Sequence, residues 1–209
     1  MLFRSEYRPL SAEARFDALK SRRIDLLSRN STWTMSRELE LGLEFAGVSY
    51  FDGQGFLLPA LYGATSPLQL GGAKICVATG TTSEMNASQF FQKHNLKVSF
   101  LTFTERAQAH AAYAEKKCDA FTGDRSGLAA ERSALASPED HVILRDVISK
   151  EPLGPVTRDD DSRWTSLVRW TLFALINAEE LGINSKSGAA EKGQQAMALC
   201  VPAARSLGL

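Results

Sequence analysis

Three short clusters of residues carry the groups that could do chemistry. Asn30-Ser-Thr-Trp-Thr34, with Arg37 three residues on, puts hydroxyls, backbone N–H groups and a guanidinium on one loop. Arginine grips a carboxylate as a two-pronged fork, so this loop makes a fitting carboxylate receptor. The same residues also describe an ordinary strand end beside a surface arginine. Thr79-Gly-Thr-Thr82 falls where a strand meets a helix start. Gly80 permits close backbone approach there, and the helix start offers N–H groups and a positive dipole end, an anion-binding arrangement. The bland alternative is an N-cap and nothing more. Asp124 follows a short strand, where a carboxylate can accept an ammonium group; it reads equally well as the N-cap of the next helix.

Signals for catalysis or metal binding are weak. His94, His110 and His141 are scattered, with no HExxH and no paired metal ligands. There is no GxSxG, no Walker lysine and no GxGxxG, so neither an esterase elbow nor a nucleotide fingerprint is present. Cys118 reads as a buried thiol rather than a nucleophile. Asn30-Ser-Thr32 and Asn86-Ala-Ser88 match the glycosylation sequon, a pattern too short to carry weight.

The elements that must position these clusters follow from periodicity. Ser11 caps a predicted amphipathic helix over 12–20, with Phe16 and Leu19 on one face. Residues 24–28 read as a buried strand and 36–43 as a short helix, Leu39 and Leu43 lying four apart. Residues 49–58 read as an extended segment bent at Gly53 and Gly55. Beyond Ala73 strands are predicted over 74–79, 97–103, 119–122 and 141–147. Helices alternate with them: one from a capping box at Thr81-Thr-Ser-Glu84 to about His94, then 105–117 and 125–136. That alternation predicts a mostly parallel sheet with helices on its faces. Glu151-Pro-Leu-Gly-Pro155 reads as a stiff, turn-rich linker. A long helix over 162–181 carries the apolar stripe Trp164, Leu167, Val168, Leu172, Leu175 and Ile176, read as core, and Gly182 ends it. Residues 187–209 read as helical until Pro202. The blocks are 1–58, 59–150 and 151–209, joined by extended crossings near 50–58 and 148–156. Ligands in open α/β sheets sit at the carboxyl ends of strands, so a cleft between two such lobes is the expected site.

Composition narrows the class. The 209 residues hold 24 Lys+Arg against 24 Asp+Glu, 44% hydrophobic and 23% charged residues, which is ordinary globular usage. Zero net charge argues against a protein that binds nucleic acid through counterion release. No apolar run approaches the roughly 20 residues of a membrane helix. The first residues, Met1-Leu-Phe-Arg-Ser-Glu-Tyr-Arg-Pro, show no apolar leader. Three cysteines, Cys76, Cys118 and Cys200, have no CxxC spacing, and whether any two pair stays open.

Longer segments carry a specific resemblance. Ser28-Arg-Asn-Ser-Thr-Trp-Thr-Met-Ser-Arg37, Phe51-Asp-Gly-Gln-Gly-Phe56, Ala78-Thr-Gly-Thr-Thr82, Ser149-Lys-Glu-Pro-Leu-Gly-Pro155 and Trp170-Thr-Leu-Phe-Ala-Leu-Ile-Asn-Ala-Glu-Glu-Leu-Gly-Ile183 are similar, in order and spacing, to the periplasmic general L-amino-acid-binding proteins of ABC transporters. The resemblance implies a type II periplasmic-binding-protein fold, with two α/β lobes closing on one free L-amino acid. It implies that Thr32 and Arg37 hold the ligand α-carboxylate, with a backbone contact from Asn30. Thr81 and Thr82, beside Gly80, would grip the same carboxylate, and Asp124 would take the α-ammonium. Permease subunits are the implied partners and the periplasm the implied compartment. No cofactor, metal or nucleic acid is expected, and no enzymatic activity.

Departures from the family pattern set further expectations. The family has a leader peptide, a first strand and a first helix before the position of Met1, and more chain beyond Leu209. The chain therefore reads as truncated at its N-terminus and at its C-terminus, with lobe one incomplete. The alternatives that follow are a non-binding remnant, or a swapped homodimer formed through the incomplete lobe. Retention in the cytoplasm is the alternative compartment. Gly123 and Arg125 flank Asp124 where the family has Thr and Gln, which alters the pocket rim.

Overall fold

The computed structural model describes residues 5–183; the helix predicted over 187–209 lies outside them. Elements follow in chain order. α1 is Arg15–Lys20, α2 Met35–Leu39, β1 Leu43–Phe45, β2 Tyr50–Asp52, β3 Gln54–Pro59 and β4 Lys74–Ala78. Then come α3 Thr82–Lys93, β5 Ser99–Phe103, α4 Arg106–Ala114, β6 Ala120–Asp124, α5 Arg125–Ser133 and β7 His141–Ile143. β8 Glu151–Leu153, β9 Val156–Arg158 and α6 Ser162–Glu180 complete the fold. The chain forms two compact units, passing between them at 24/25, 49/50 and 153/154.

The first unit takes in residues 5–24 and Tyr50–Leu153 and is built on a five-stranded sheet in the order β5-β4-β6-β3-β7. β4 runs parallel to β5 and to β6, but β3 pairs antiparallel with both β6 and β7, so the sheet is mixed. Strand alternation alone predicts a mostly parallel sheet; the arriving segment at β3 wedges into it in the opposite sense. Side chains alternate faces with period two. Phe56, Leu58, Ile75 and Ala120 form one core with Phe91 of α3. Leu57, Cys76 and Phe121 form the other, with Tyr113 of α4 and Leu128 of α5. Cys76 and Cys118 are joined by a disulfide inside that second core, with Cα atoms 5.7 Å apart, so Cys118 is a bonded half-cystine rather than a thiol.

Local departures have local causes. The first helix begins at Arg15, because Ala12–Ala14 form only a turn; Ser11 Oγ accepts the Ala14 N–H at 3.1 Å. Leu19 is buried on its face, whereas Phe16 is half-exposed. The extended segment breaks once, at Gly53, between β2 and β3. Gly55 lies inside β3 and does not bend it. Residues 151–155 are not a free linker: Glu151–Leu153 form β8, paired antiparallel with β2.

The second unit takes in Asp25–Ser49 and residues 154–183. β1 and β9 pair antiparallel, and Leu27 bridges Val156 through two hydrogen bonds of 2.9 and 3.0 Å. The strand predicted over 24–28 is reduced to that bridge, since only Leu27 of the five is buried. The helix predicted over 36–43 is also split. α2 ends at Leu39, Gly42 takes a positive φ of 64°, and Leu43 starts β1, buried where Leu39 is 77% exposed. Asp161 caps α6, its Oδ1 accepting the Trp164 N–H at 2.9 Å. The α6 stripe is not the core its pattern predicts. Val168 is buried and Trp164 and Leu172 are half-buried, but Leu167, Leu175 and Ile176 are exposed, as are Trp170 and Phe173 outside the stripe. A helix of 19 residues is about 28 Å long, and among the described residues the sheet of this unit has two strands, β1 and β9.

Candidate functional site

In the second unit Thr34 sits in extended backbone before α2 and its hydroxyl accepts the Arg37 N–H at 3.3 Å. That cap sets the helix phase and brings the guanidinium back over its own loop. Arg37 Nη1 donates to the Thr32 carbonyl at 2.6 Å, and both residues are buried. Arg37 and Thr32 are therefore one local assembly, with Trp33 between them stacked on Phe45 at 5.4 Å. Ser31, fully buried, leaves its hydroxyl without a hydrogen-bond partner among the described residues. Asn30 is exposed.

In the first unit the strand β4 ends at Ala78 and the chain turns through Gly80 at a φ of 68°, a conformation that favours glycine. Thr81 then caps α3. Its hydroxyl accepts the Glu84 N–H at 3.3 Å and donates to the Ala78 carbonyl at 2.7 Å. The predicted capping box is half made: the Glu84 carboxylate reaches one residue further back, accepting the Gly80 N–H at 3.1 Å and the Thr79 hydroxyl at 3.3 Å. Thr82 donates its hydroxyl to Glu151 at 3.1 Å. So the hydroxyls of Thr81 and Thr82 and the N–H of Gly80, all expected to face an anion, are engaged within the unit.

Asp124 is the last residue of β6 and is buried. It occupies the N-cap position of α5, yet its side chain makes no capping hydrogen bond. That task falls to Asp52 of β2, whose Oδ2 accepts both the N–H and the hydroxyl of Ser126 in the first turn of α5. The cap at the start of α5 is thus supplied from another strand.

Two residues at this end of the unit lie in segments that carry the resemblance, but the sequence singles out neither as a site residue. Glu151, 1% exposed on β8, accepts from Thr82, from Asn86 Nδ2 at 2.8 Å and from the Ser149 hydroxyl. A carboxylate so placed gains from the positive end of α3. Gln54, fully buried on β3, donates through Nε2 to the Ser83 carbonyl at 2.8 Å and to Thr122 Oγ1 at 2.9 Å. It stands opposite Asp124 in the β3–β6 register and so ties the start of α3 to the end of β6.

The histidines are dispersed. His94 packs on Phe90, His110 Nε2 meets the Glu131 carbonyl at 3.0 Å, and His141 takes the Tyr113 hydroxyl. No cluster of three metal-ligating side chains occurs among the described residues. No described helix is long and apolar enough to cross a membrane. Behind β6, the Arg106 guanidinium lies against Gly123 and Gly127 and is ion-paired to Glu131. Burial raises the Glu131 pKa above the usual carboxylate value, while Arg106 and then His110 act to lower it.

No family model matches the chain. Curated relatives do. The general L-amino acid-binding periplasmic protein AapJ of Rhizobium johnstonii is 47% identical over 178 residues, 85% of this chain and 52% of the relative. The glutamate/glutamine/aspartate/asparagine-binding protein BztA of Rhodobacter capsulatus is 48% identical over 178 residues, covering 85% and 53%. The chain thus spans about half the length of the curated relatives it matches. Among solved structures, an ABC transporter periplasmic binding protein from Brucella ovis with glutathione bound aligns with a TM-score of 0.82 and 50% identity, covering 86% of this chain and 56% of that one. An ancestral arginine-binding protein bound to arginine shares the fold at a TM-score of 0.73 and 22% identity, covering 85% and 75%. The homologues of this chain are periplasmic amino-acid-binding proteins of ABC transporters, and its described residues have their α/β fold.

Proposed function

We propose, from that homology, that the chain binds a free L-amino acid as the solute-binding component of an ABC-type transporter and has no catalytic role. Arg37 and the Thr32 loop receive the α-carboxylate, helped by Asn30; the Gly80-Thr81-Thr82 turn joins them by exchanging its bonds to Glu84, Ala78 and Glu151 for the ligand. Asp124 receives the α-ammonium. The observation that carries this reading is the similarity to amino-acid-binding proteins over 85% of the chain, with Asp124 buried at the end of β6. Charge-assisted hydrogen bonds contribute about 1.5–3 kcal/mol each, and micromolar binding needs about 8 kcal/mol, so about three to six such bonds supply it.

Permease subunits are the partners this reading implies, and the periplasm the compartment. The Cys76–Cys118 disulfide supports an oxidising compartment, since such bonds persist there and are rare in reducing ones. Calorimetry of the full chain against the twenty common L-amino acids tests the reading. Saturable binding of at least one of them is the expected result; no heat and no thermal shift across the panel contradicts it.

A further inference from the structure

Gln54 is completely buried, yet only half of its amide is used. Its Nε2 makes two hydrogen bonds, to Ser83 O and Thr122 Oγ1, while Oε1 has no hydrogen-bond partner among the described residues. The Ser83 partner is a carbonyl, which only accepts, so the amide orientation is set and Oε1 is the acceptor left over. A buried acceptor without a donor costs about as much as a lost hydrogen bond, so such an atom calls for one.

Strand register says which face of the sheet Gln54 occupies and what stands opposite it. Gln54 and Asp124 are directly opposed across the antiparallel β3–β6 pair, which puts their side chains on the same face with Cβ atoms about 5 Å apart. Phe56 and Ala120, two residues and four residues along the same strands, belong to the core that packs on α3. Period-two alternation therefore puts Gln54, Thr122 and Asp124 all on the α3 side of the sheet. Thr122 Oγ1 is fixed in turn by donating to the Gly55 carbonyl at 2.8 Å, so the amide is held from two directions. A carboxylate and an amide carried on directly opposed residues of one face suit an ammonium group, which has three donors and no acceptor.

We propose that Gln54 Oε1 is a second acceptor for the ligand α-ammonium, beside Asp124. The proposal rests on the reading of the chain as an amino-acid receptor. It separates ligands by chemistry: a 2-hydroxy acid, with one donor and no charge at that position, loses more at this pair of acceptors than at Asp124 alone.

The test compares the tightest-binding common L-amino acid with its 2-hydroxy acid, for glutamate L-2-hydroxyglutarate, by calorimetry on the full chain and on Gln54→Met. The expected result is a preference for the amino acid over the hydroxy acid that falls at least fivefold in Gln54→Met. A merely structural role weakens both ligands by the same factor, and that result, or no change in either, overturns the proposal. Should Gln54→Met fail to fold, Thr122→Val, which removes one anchor of Nε2, is the deciding variant. A fall of twofold or more in the same preference supports the proposal and an unchanged preference overturns it. Failure of the wild-type chain to bind any common amino acid instead removes the receptor reading beneath the proposal.

Discussion

Asp52 and Glu151 stand directly opposite one another across the antiparallel β2–β8 pair, and they send their carboxylates to two different helix starts. Asp52 takes the N–H and hydroxyl of Ser126 at the start of α5; Glu151 takes Thr82 and Asn86 in the first turns of α3. Like charges directly opposed on a sheet repel. Here each is met by hydrogen-bond donors and the positive end of a helix, which offsets the repulsion. Both strands border the residues where the chain passes between its two units, so their ends are tied to the turns that carry Thr82 and Asp124.

Removing these ties has different costs. Asp52→Ala loses a helix cap, worth about 1 kcal/mol of unfolding free energy. Glu151→Ala leaves the partly buried donors of Thr82, Asn86 and Ser149 without their shared acceptor and lowers stability by about 1.5–3 kcal/mol. Urea unfolding of the two variants gives the order directly, Glu151→Ala being the less stable.

Gly154 is fixed by backbone rather than by conformational freedom. A Cβ placed there lies 1.9 Å from the Gly47 carbonyl oxygen, and neither partner is a side chain that can swing away. Gly154→Ala is expected to cost about 3 kcal/mol or more, the upper end of overpacking penalties. Its urea midpoint drops well below that of the wild-type chain.

Much of this was legible in the sequence. The strands carrying Cys76 and Phe121 and the capped helix after Thr81 follow from period and capping residues, and the resemblance pointed to the family of its homologues. What was not legible depends on pairing. β3 reads the same whether parallel or antiparallel, so its reversed sense among β6 and β7 leaves no trace in its pattern. Residues 151–153 read as a linker because Pro152 and Gly154 are turn residues, but β2 supplies an unforeseen partner. The α6 stripe has the spacing of a core helix, and spacing cannot report how wide a sheet lies beneath it. Asp52, Gln54 and Glu151 lie in segments that carry the resemblance, yet their roles arise from register, which those segments do not report.

The Cys76–Cys118 bond closes a separation of 42 residues inside one core. Alkylation without reduction leaves both cysteines unmodified, and reduction in urea exposes both. Cys76→Ala and the reduced chain lose about 2–4 kcal/mol of stability. Mass spectrometry of the alkylated, digested chain checks the pairing.

His141 sets a dependence on acid. Burial lowers its pKa below 6.5, with Arg132 and Lys116 acting in the same direction and Asp140 and Glu139 opposing. The Tyr113 hydroxyl lies within hydrogen-bond distance of Nδ1. A base whose pKa is depressed on folding contributes stability that is present above pH 6.5 and lost as pH falls through the lower folded value. The melting temperature of the wild-type chain is expected to fall more steeply between about pH 7 and 5 than that of His141→Gln.

The central claim is that Arg37 and Asp124 hold the two charges of one amino acid. Calorimetric titration of the wild-type chain, Arg37→Ala and Asp124→Ala with the tightest-binding amino acid of the panel tests it most directly. Each substitution removes a charge-assisted contact of about 1.5–3 kcal/mol, so each is predicted to weaken binding by about tenfold or more. Wild-type affinity retained in both variants, with the fold intact by circular dichroism, contradicts the account.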